Sequence, residues 1–301
     1  MERELWPRTY ALLRQVGDDF SQKYAQYPPW VIAAVLLWAA AHDRPLCWAC
    51  DPANWSTTGH RPGRLPSPAT VSRRLRGLAV GLLLRAVADR LRDAAPAGLV
   101  TALDGKPLPV GSRSKDRDAR PKGPMGPGYK LHAMWALRPV PEAWEVTAAG
   151  VGEAPVGQRL VRAAGGGGYL LADGNYDSNA LFDDAAAAGY QLVVPAWRPG
   201  AGTGHRRQSP HRLRSIHLAG TAYGRSLYGL RARIERSFGH AGGFGGGFGP
   251  LPSWVRTAHR VYCWVAAKLV INGVRIVRKQ GLTTQMQNVG CPGLNNLTPV
   301  G

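Results

Sequence analysis

The sequence predicts an α/β protein in which a mostly helical domain precedes a domain built on a mixed sheet. Three observations carry this. Up to about Pro96, apolar residues recur at three and four spacing. Beyond it, β-branched and aliphatic runs alternate with short helical stretches. Two of those runs, "GLVTALDG" and "GYLLADG", close on Asp-Gly. The boundaries follow: residues 1–96 helical, 97–280 sheet-based, and 281–301, rich in Gln, Asn, Gly and Thr, a disordered tail.

Bulk properties narrow the function classes. The 301 residues are 45% hydrophobic, enough for two filled cores. Lys and Arg number 38 against 19 Asp and Glu, a formal charge of +19. Such an excess points to a polyanion, most simply nucleic acid, because phosphate contacts release counterions and dominate affinity. "MERELWPRTY" carries acids and no apolar run, so no secretory leader is read. Val31 to Ala41 is too short to span a bilayer, so no membrane is expected. Four cysteines make no disulfide framework, and a cytoplasmic location is expected. Cys47 and Cys50 form a CxxC near His42 and His60 but lack a second pair, and read as semi-buried thiols rather than a zinc site.

Along the chain, Trp30 to Ala41 reads as a buried helix, "HRPGRLPSP" as a connector, and Ala69 to Leu91 as a second helix opened by Ser67 and Pro68, a capping side chain before a proline. Thr70, Ser72, Arg73, Arg74 and Arg76 crowd its start. Two readings stand: a helix-turn-helix recognition helix whose Arg73 and Arg74 meet bases and phosphates, or a solvated basic face. The strands at 99–103 and 169–172 each end in an aspartate, Asp104 and Asp173, where ligands sit in such sheets. Helices are expected around Val156 to Ala164 and Ser178 to Ala188, and a strand at "YQLVVP". Residues 198–217 form a basic loop with five arginines and three histidines, Arg206 and Arg207 among them. It either tracks a phosphate backbone or is a charged linker. One helix from about Tyr223 to Phe238 then places Tyr228, Arg231 and Glu235 on one face, and glycines 242–249 read as a connector.

These pieces together resemble the DDE transposases of bacterial insertion sequences, whose catalytic core is RNase H-like. The likeness lies in "ALDGK", "ADGNYDS" and the Y-x2-R-x3-E pattern of "YGLRARIE", the last similar to the insertion-sequence family four subgroup. The order of strands and helices over 97–280 agrees. One departure is Gly242, which stands where that subgroup often carries a lysine; His240 or Lys268 could substitute.

The resemblance implies that Asp104, Asp173 and Glu235 are the catalytic residues and hold two Mg²⁺ ions, for which Mn²⁺ can substitute. Two such ions ~3.5–4 Å apart activate the nucleophile, stabilise the leaving oxygen and relieve charge, and hard cations favour carboxylates. Asp177 is the rival of Asp173, though before Ser178 it reads as a helix cap. Asp116 and Asp118 read as solvated loop charges. Tyr228, Arg231, Lys106 and Lys130 are placed against DNA, with pairing to Glu235 as the other reading of Arg231 and plain solvation as the other reading of the lysines. Implied partners are double-stranded DNA, as element ends and target, and a second copy in a synaptic dimer. The function expected is end binding, hydrolysis to free 3′-hydroxyls and strand transfer. The alternatives are a repurposed transposase that only binds DNA, and a nuclease without strand transfer.

Overall fold

The computed structural model describes residues 5–20, 26–55, 58–111, 114–121, 126–195, 207–242 and 247–282. It is a mixed α/β protein with a helical N-terminal region and a six-stranded mixed sheet. The expected tail from 283 and Arg206 lie outside these residues. No helix in them is long and apolar enough to cross a membrane.

The N-terminal helices are α1 (Leu5–Gly17), α2 (Pro29–Ala41), α3 (Leu46–Ala49), α4 (Pro68–Leu75) and α5 (Leu78–Arg92). The "PWVIAAVLLWAAA" of α2 is apolar all round and buried on nearly every side, which makes it the axis of this layer. Trp38 of α2 stacks on Trp55 at 4.8 Å and meets Trp6 of α1 edge-on at 4.7 Å. A buried indole N–H needs an acceptor. Trp6, Trp38 and Trp55 donate to the carbonyls of His60, Asn54 and Ala49, which pins the segment after α3 to the core. His42 is spent in the same way, its ring 4.1 Å from Trp38 and its Nδ1 bonded to the Trp38 carbonyl. Cys47 is exposed, and Cys50, half-buried, has its thiol pushed up to about 11 by burial and by Cys47.

The expected helix from Ala69 to Leu91 is two helices, because Gly77 caps α5 in an extended conformation. Ser67 does cap α4, accepting from Thr70 N–H at 3.3 Å.

The strands are β1 (Val100–Pro109), β2 (Arg120–Pro121), β3 (Pro127–Trp135), β4 (Ala143–Ala148), β5 (Gly168–Ala172) and β6 (Tyr190–Val193). β5 runs parallel to β1 and to β6, and β3 lies antiparallel between β1 and β4. Helices α6 (Glu153–Ala164) and α7 (Asn179–Ala187) cover one face, against Leu103, Leu170, Ala172 and Leu192. On the other face Leu171 and Val193 meet Leu227 of α9 (Ala222–Gly229), and Phe238 of α10 (Arg231–Gly242) lies edge-on to Trp135. Part of the expected basic loop is a helix, α8 (Pro210–Gly220), because Ser209 caps it through His211 and Arg212 N–H.

The last helix, α11 (Ala258–Lys279), packs against α1, α2, α5 and β4. A Cβ on its Gly273 would stand 2.7 Å from Val140 Cγ1 and 3.0 Å from Leu91 Cδ1, so glycine permits this approach. Lys268, expected as a possible stand-in for the missing lysine, is fully buried and bonds Asp43 Oδ1 at 2.7 Å. Asp116 and Asp118, expected as solvated loop charges, do keep access to water, Asp118 being exposed, but each also holds the start of α11. Thr257 enters α11 at φ 72° without capping it by its own side chain. Asp116 Oδ2 accepts from Thr257 N–H and Asp118 Oδ2 from Ala258 N–H, both at 2.9 Å, supplying the cap from 140 residues upstream.

Burial would raise the Asp116 carboxyl, but bonds from Thr257 N–H, the Tyr129 hydroxyl and Asp118 N–H, with the Arg256 charge, lower its pKa on balance. A depressed carboxylate stabilises the fold above its unfolded pKa and loses that contribution as pH falls through the folded value. Asp116→Ala is therefore expected to cost about 1–2 kcal/mol at pH 7. Urea titrations should show the gap to the wild type shrinking on acidification; a gap independent of pH would refute this account.

Candidate active site

The parallel register between β1 and β5 ends at Leu103 opposite Ala172. The next residue on each strand is an aspartate, so Asp104 and Asp173 leave adjacent strands side by side. Only β5 stops there. β1 runs on to Pro109 because β3 continues to pair with it, Asp104 standing opposite Ala133. The Asp-Gly at 104–105 therefore lies within a strand. Its glycine makes room instead: a Cβ at position 105 would stand 2.1 Å from Lys130 Cε.

Strand alternation puts Asp104 and Lys106 on the face that carries Ala102, toward α10, and puts Gly105, Lys130 and His132 on the α6 face. Lys106 is half-exposed. Lys130, expected at the mouth of the site, is buried and ion-paired with the buried Glu153 at the start of α6. Sequence reasoning missed Glu153, since nothing local marks a carboxylate at a helix start as buried. Tyr176 lies fully buried nearby, its hydroxyl pKa raised by burial first and then by Glu153, Asp104 and Asp173.

Asp173 caps a 3₁₀ turn at Gly174–Tyr176, its Oδ1 accepting from Asn175 N–H at 2.9 Å. Its rival, Asp177, does not cap α7. Arg212 of α8 donates to both of its carboxylate oxygens, at 2.6 and 2.7 Å, and Ser178 holds the cap position without a side-chain bond.

The expected helix from Tyr223 to Phe238 is broken at Leu230 into α9 and α10. Tyr228, in the last turn of α9, donates its hydroxyl to the Ala172 carbonyl at 3.2 Å and so fastens α9 beside Asp173. Arg231 and Glu235 are one turn apart on α10 and form an ion pair, with the Arg231 guanidinium 3.9 Å from Asp104 Oδ1 and 5.9 Å from the Tyr228 ring centre. Of the two readings of Arg231, the pairing with Glu235 is the contact present. Arg207 is exposed just before α8, and on α4 Arg73 is exposed and Arg74 half-buried.

Asp104, Asp173, Glu235, Arg231 and Tyr228 thus share one electrostatic neighbourhood. The Asp104 carboxyl is raised by burial, then lowered by Gly105 N–H and Arg231, and raised again by the charges of Glu235 and Asp173. Half-exposed carboxylates that repel one another are hard oxygen donors suited to a divalent cation. Among the described residues, however, no three His, Cys, Asp or Glu side chains are gathered closely enough to hold a metal ion; the guanidinium of Arg231 is the cation between Asp104 and Glu235.

The coupling gives a measurable outcome. In Asp173→Asn the carboxyl pKa of Asp104 should fall, because a like charge is gone; in Arg231→Gln it should rise, because an opposite one is gone. Carboxyl-carbon NMR titration reads both shifts, and an Asp104 resonance indifferent to both variants would show that the groups do not interact.

A family model described as a transposase DDE domain matches residues 96–248. No curated protein matches the sequence. Among solved structures, the piggyBac transposase synaptic complex with hairpin DNA, determined by cryo-EM, is similar at 12% identity and a TM-score of 0.29. The match covers 66% of this chain and 49% of that one, so this chain spans about half the length of that protein.

Proposed function

The chain belongs to the transposase DDE-domain family, matched over half its length, and on that premise we propose that it is a DNA transposase of the insertion-sequence family four type. It binds the ends of its element, hydrolyses the phosphodiester there to free a 3′-hydroxyl, and transfers that hydroxyl to target DNA. The single observation that supports the reading is that Asp104 and Asp173 follow paired residues of two adjacent strands while the charges of both Asp173 and Glu235 act on Asp104. Without β2, the sheet order β4-β3-β1-β5-β6, with three antiparallel strands followed by two parallel ones, supports an RNase H-like core.

Each residue has a role on this reading. Asp104, Asp173 and Glu235 would hold Mg²⁺, two ions or Mn²⁺ in their place, which would supply Lewis-acid stabilisation of the phosphoryl oxygens and an activated nucleophile. Arg231 keeps Glu235 turned toward Asp104 and offers its remaining donors to a DNA phosphate. Tyr228 fixes the end of β5 and lies against the strand beside the cut. Lys106, on the same face as Asp104, meets phosphate, as do Arg206 and Arg207 ahead of α8. Residues 1–96, with α11 packed on them, form the DNA-recognition part, in which Arg73 and Arg74 of α4 read the element end. The active form is a synaptic dimer.

Asp104→Asn, Asp173→Asn and Glu235→Gln should each lower Mg²⁺-dependent cleavage of a duplex carrying the element end by at least about 100-fold, since even outer partners of metal ligands cost ~10–100-fold. Filter binding should show DNA affinity within about threefold of the wild type, because each change removes only one of many polar groups. Cleavage by Asp173→Asn at the wild-type rate would refute the site. A wild type that binds the duplex but cleaves it with neither Mg²⁺ nor Mn²⁺ would favour a DNA-binding protein without catalysis.

Arg73→Ala and Arg74→Ala tests recognition separately. Each should weaken binding to the element end by about 1–3 kcal/mol if it reads a base, and equally on all duplexes if it touches phosphate alone.

A further inference from the structure

A groove of 400 Å³ lies between α2, α4 and the first turns of α11, and none of its lining belongs to the Asp104 face. Its floor is apolar, with Leu36, Leu75 and Trp264. Its rim is basic, with Arg44, Arg76 and Arg260, and among the described residues no Asp or Glu lines it. At its mouth Trp254 leaves 37% of its surface in water. Arg260 and His259 stand in the first turn of α11, whose N-terminal amides are capped from outside the groove by Asp116 and Asp118. Burial, followed by the charges of Arg76 and Arg260, lowers the pKa of His259.

The lining selects its occupant. An inorganic anion would leave the apolar floor unused, and an aliphatic side chain would leave the arginines unused. Residues 283–301 contain no Asp or Glu and cannot match the rim. A second copy brings the same +19 to a basic rim and matches it less well than a polyanion does. A duplex shows the groove its phosphates but keeps its bases stacked. A nucleotide outside a duplex offers both a flat aromatic face and flanking phosphates, the combination that aromatic and arginine platforms recognise.

We propose that this groove holds an unpaired nucleotide of a DNA strand, its base against Trp254 and the apolar floor and its phosphates on Arg76 and Arg260. The inference rests on DNA as the substrate of the protein and adds to the helical layer a site for an unpaired nucleotide, beside Arg73 and Arg74 of α4.

The test uses the full chain, a 5′-labelled dT strand of about 20 nucleotides and a duplex of equal length and arbitrary sequence, read by fluorescence anisotropy at one salt concentration. Trp254→Ala and the double variant Arg76→Ala/Arg260→Ala should each weaken dT binding about tenfold and duplex binding less than about twofold. Arg8→Ala, which removes a charge from an exposed position of α1, should change neither by more than about twofold. A 5-iododeoxyuridine strand irradiated on the wild type should crosslink at Trp254, which decides the matter even where a variant fails to fold. Unchanged dT affinity, equal losses on dT and duplex, or adducts confined to residues outside the groove would each overturn the proposal. Displacement of an acidic peptide rather than dT by these variants would assign the groove to a protein partner and overturn it as well. A wild type that binds neither probe would instead bring down the DNA-binding reading itself.

Discussion

The charges of Asp173 and Glu235 both act on Asp104, and the fold must hold the three carboxylates within reach of one another. The parallel pairing of β1 and β5 does most of this, because strands cannot slip by one residue without turning every side chain to the opposite face. Asp104 and Asp173 are neighbours as a consequence of Leu103 lying opposite Ala172. Burial is what chiefly raises the carboxyl of Asp104, and the charges of Glu235 and Asp173 add smaller upward pushes. Arg231 relieves part of the repulsion by standing beside Asp104 while it pairs with Glu235. The break at Leu230 matters for the same reason: Tyr228 reaches back to Ala172 from one helix while the next carries Glu235 over β1.

The helical layer solves a different problem. It has to be apolar inside and strongly basic outside, with little acidic residue to spare. Its core is closed by tryptophans, of which Trp6, Trp38 and Trp55 donate their N–H groups to carbonyls, so most of this aromatic bulk is buried with its donor satisfied. The buried ammonium of Lys268 is matched by Asp43 in the turn after α2, and Trp264 lies under it with its ring centre 5.1 Å away. Asp116 and Asp118 are committed likewise to the start of α11. Arg73 and Arg76 at α4 and Arg260 of α11 face outward.

What could be read from the sequence was local. The short aliphatic run before Asp173, with its Asp-Gly-Asn-Tyr turn, announces both a strand and its end, and the structure has both. Ser67 before Pro68 announces a cap, and the cap is made. Misreadings arose where distant partners decide. Nothing in "ALDGK" shows that β1 goes on for five more residues, because the continuation depends on β3. Lys130 looks solvated until Glu153, 23 residues later, is placed against it and Gly105 is seen to leave it space. Asp116 and Asp118 look idle because the amides they bond lie about 140 residues away. The helix breaks at Gly77 and Leu230 had a local signal in the glycines at 77 and 229, which apolar spacing carried across.

The position of α11 bears on how such a chain matures. Helices α1, α2 and α5 come first from the ribosome, yet the flank that α11 covers stays open while the whole sheet is made. Gly273 has to arrive before Leu91 and Val140 can meet across it. Until then the apolar sides of these helices are without their partner, at the very stage when a basic nascent chain lies close to ribosomal RNA. Burial of Lys268 against Asp43 makes this late step selective, since a misplaced α11 would strand an ammonium in the core. Completion of the helical layer is thereby tied to completion of the sheet, and the groove between α4 and α11 comes into being only after the residues that line the Asp104 face have been synthesised.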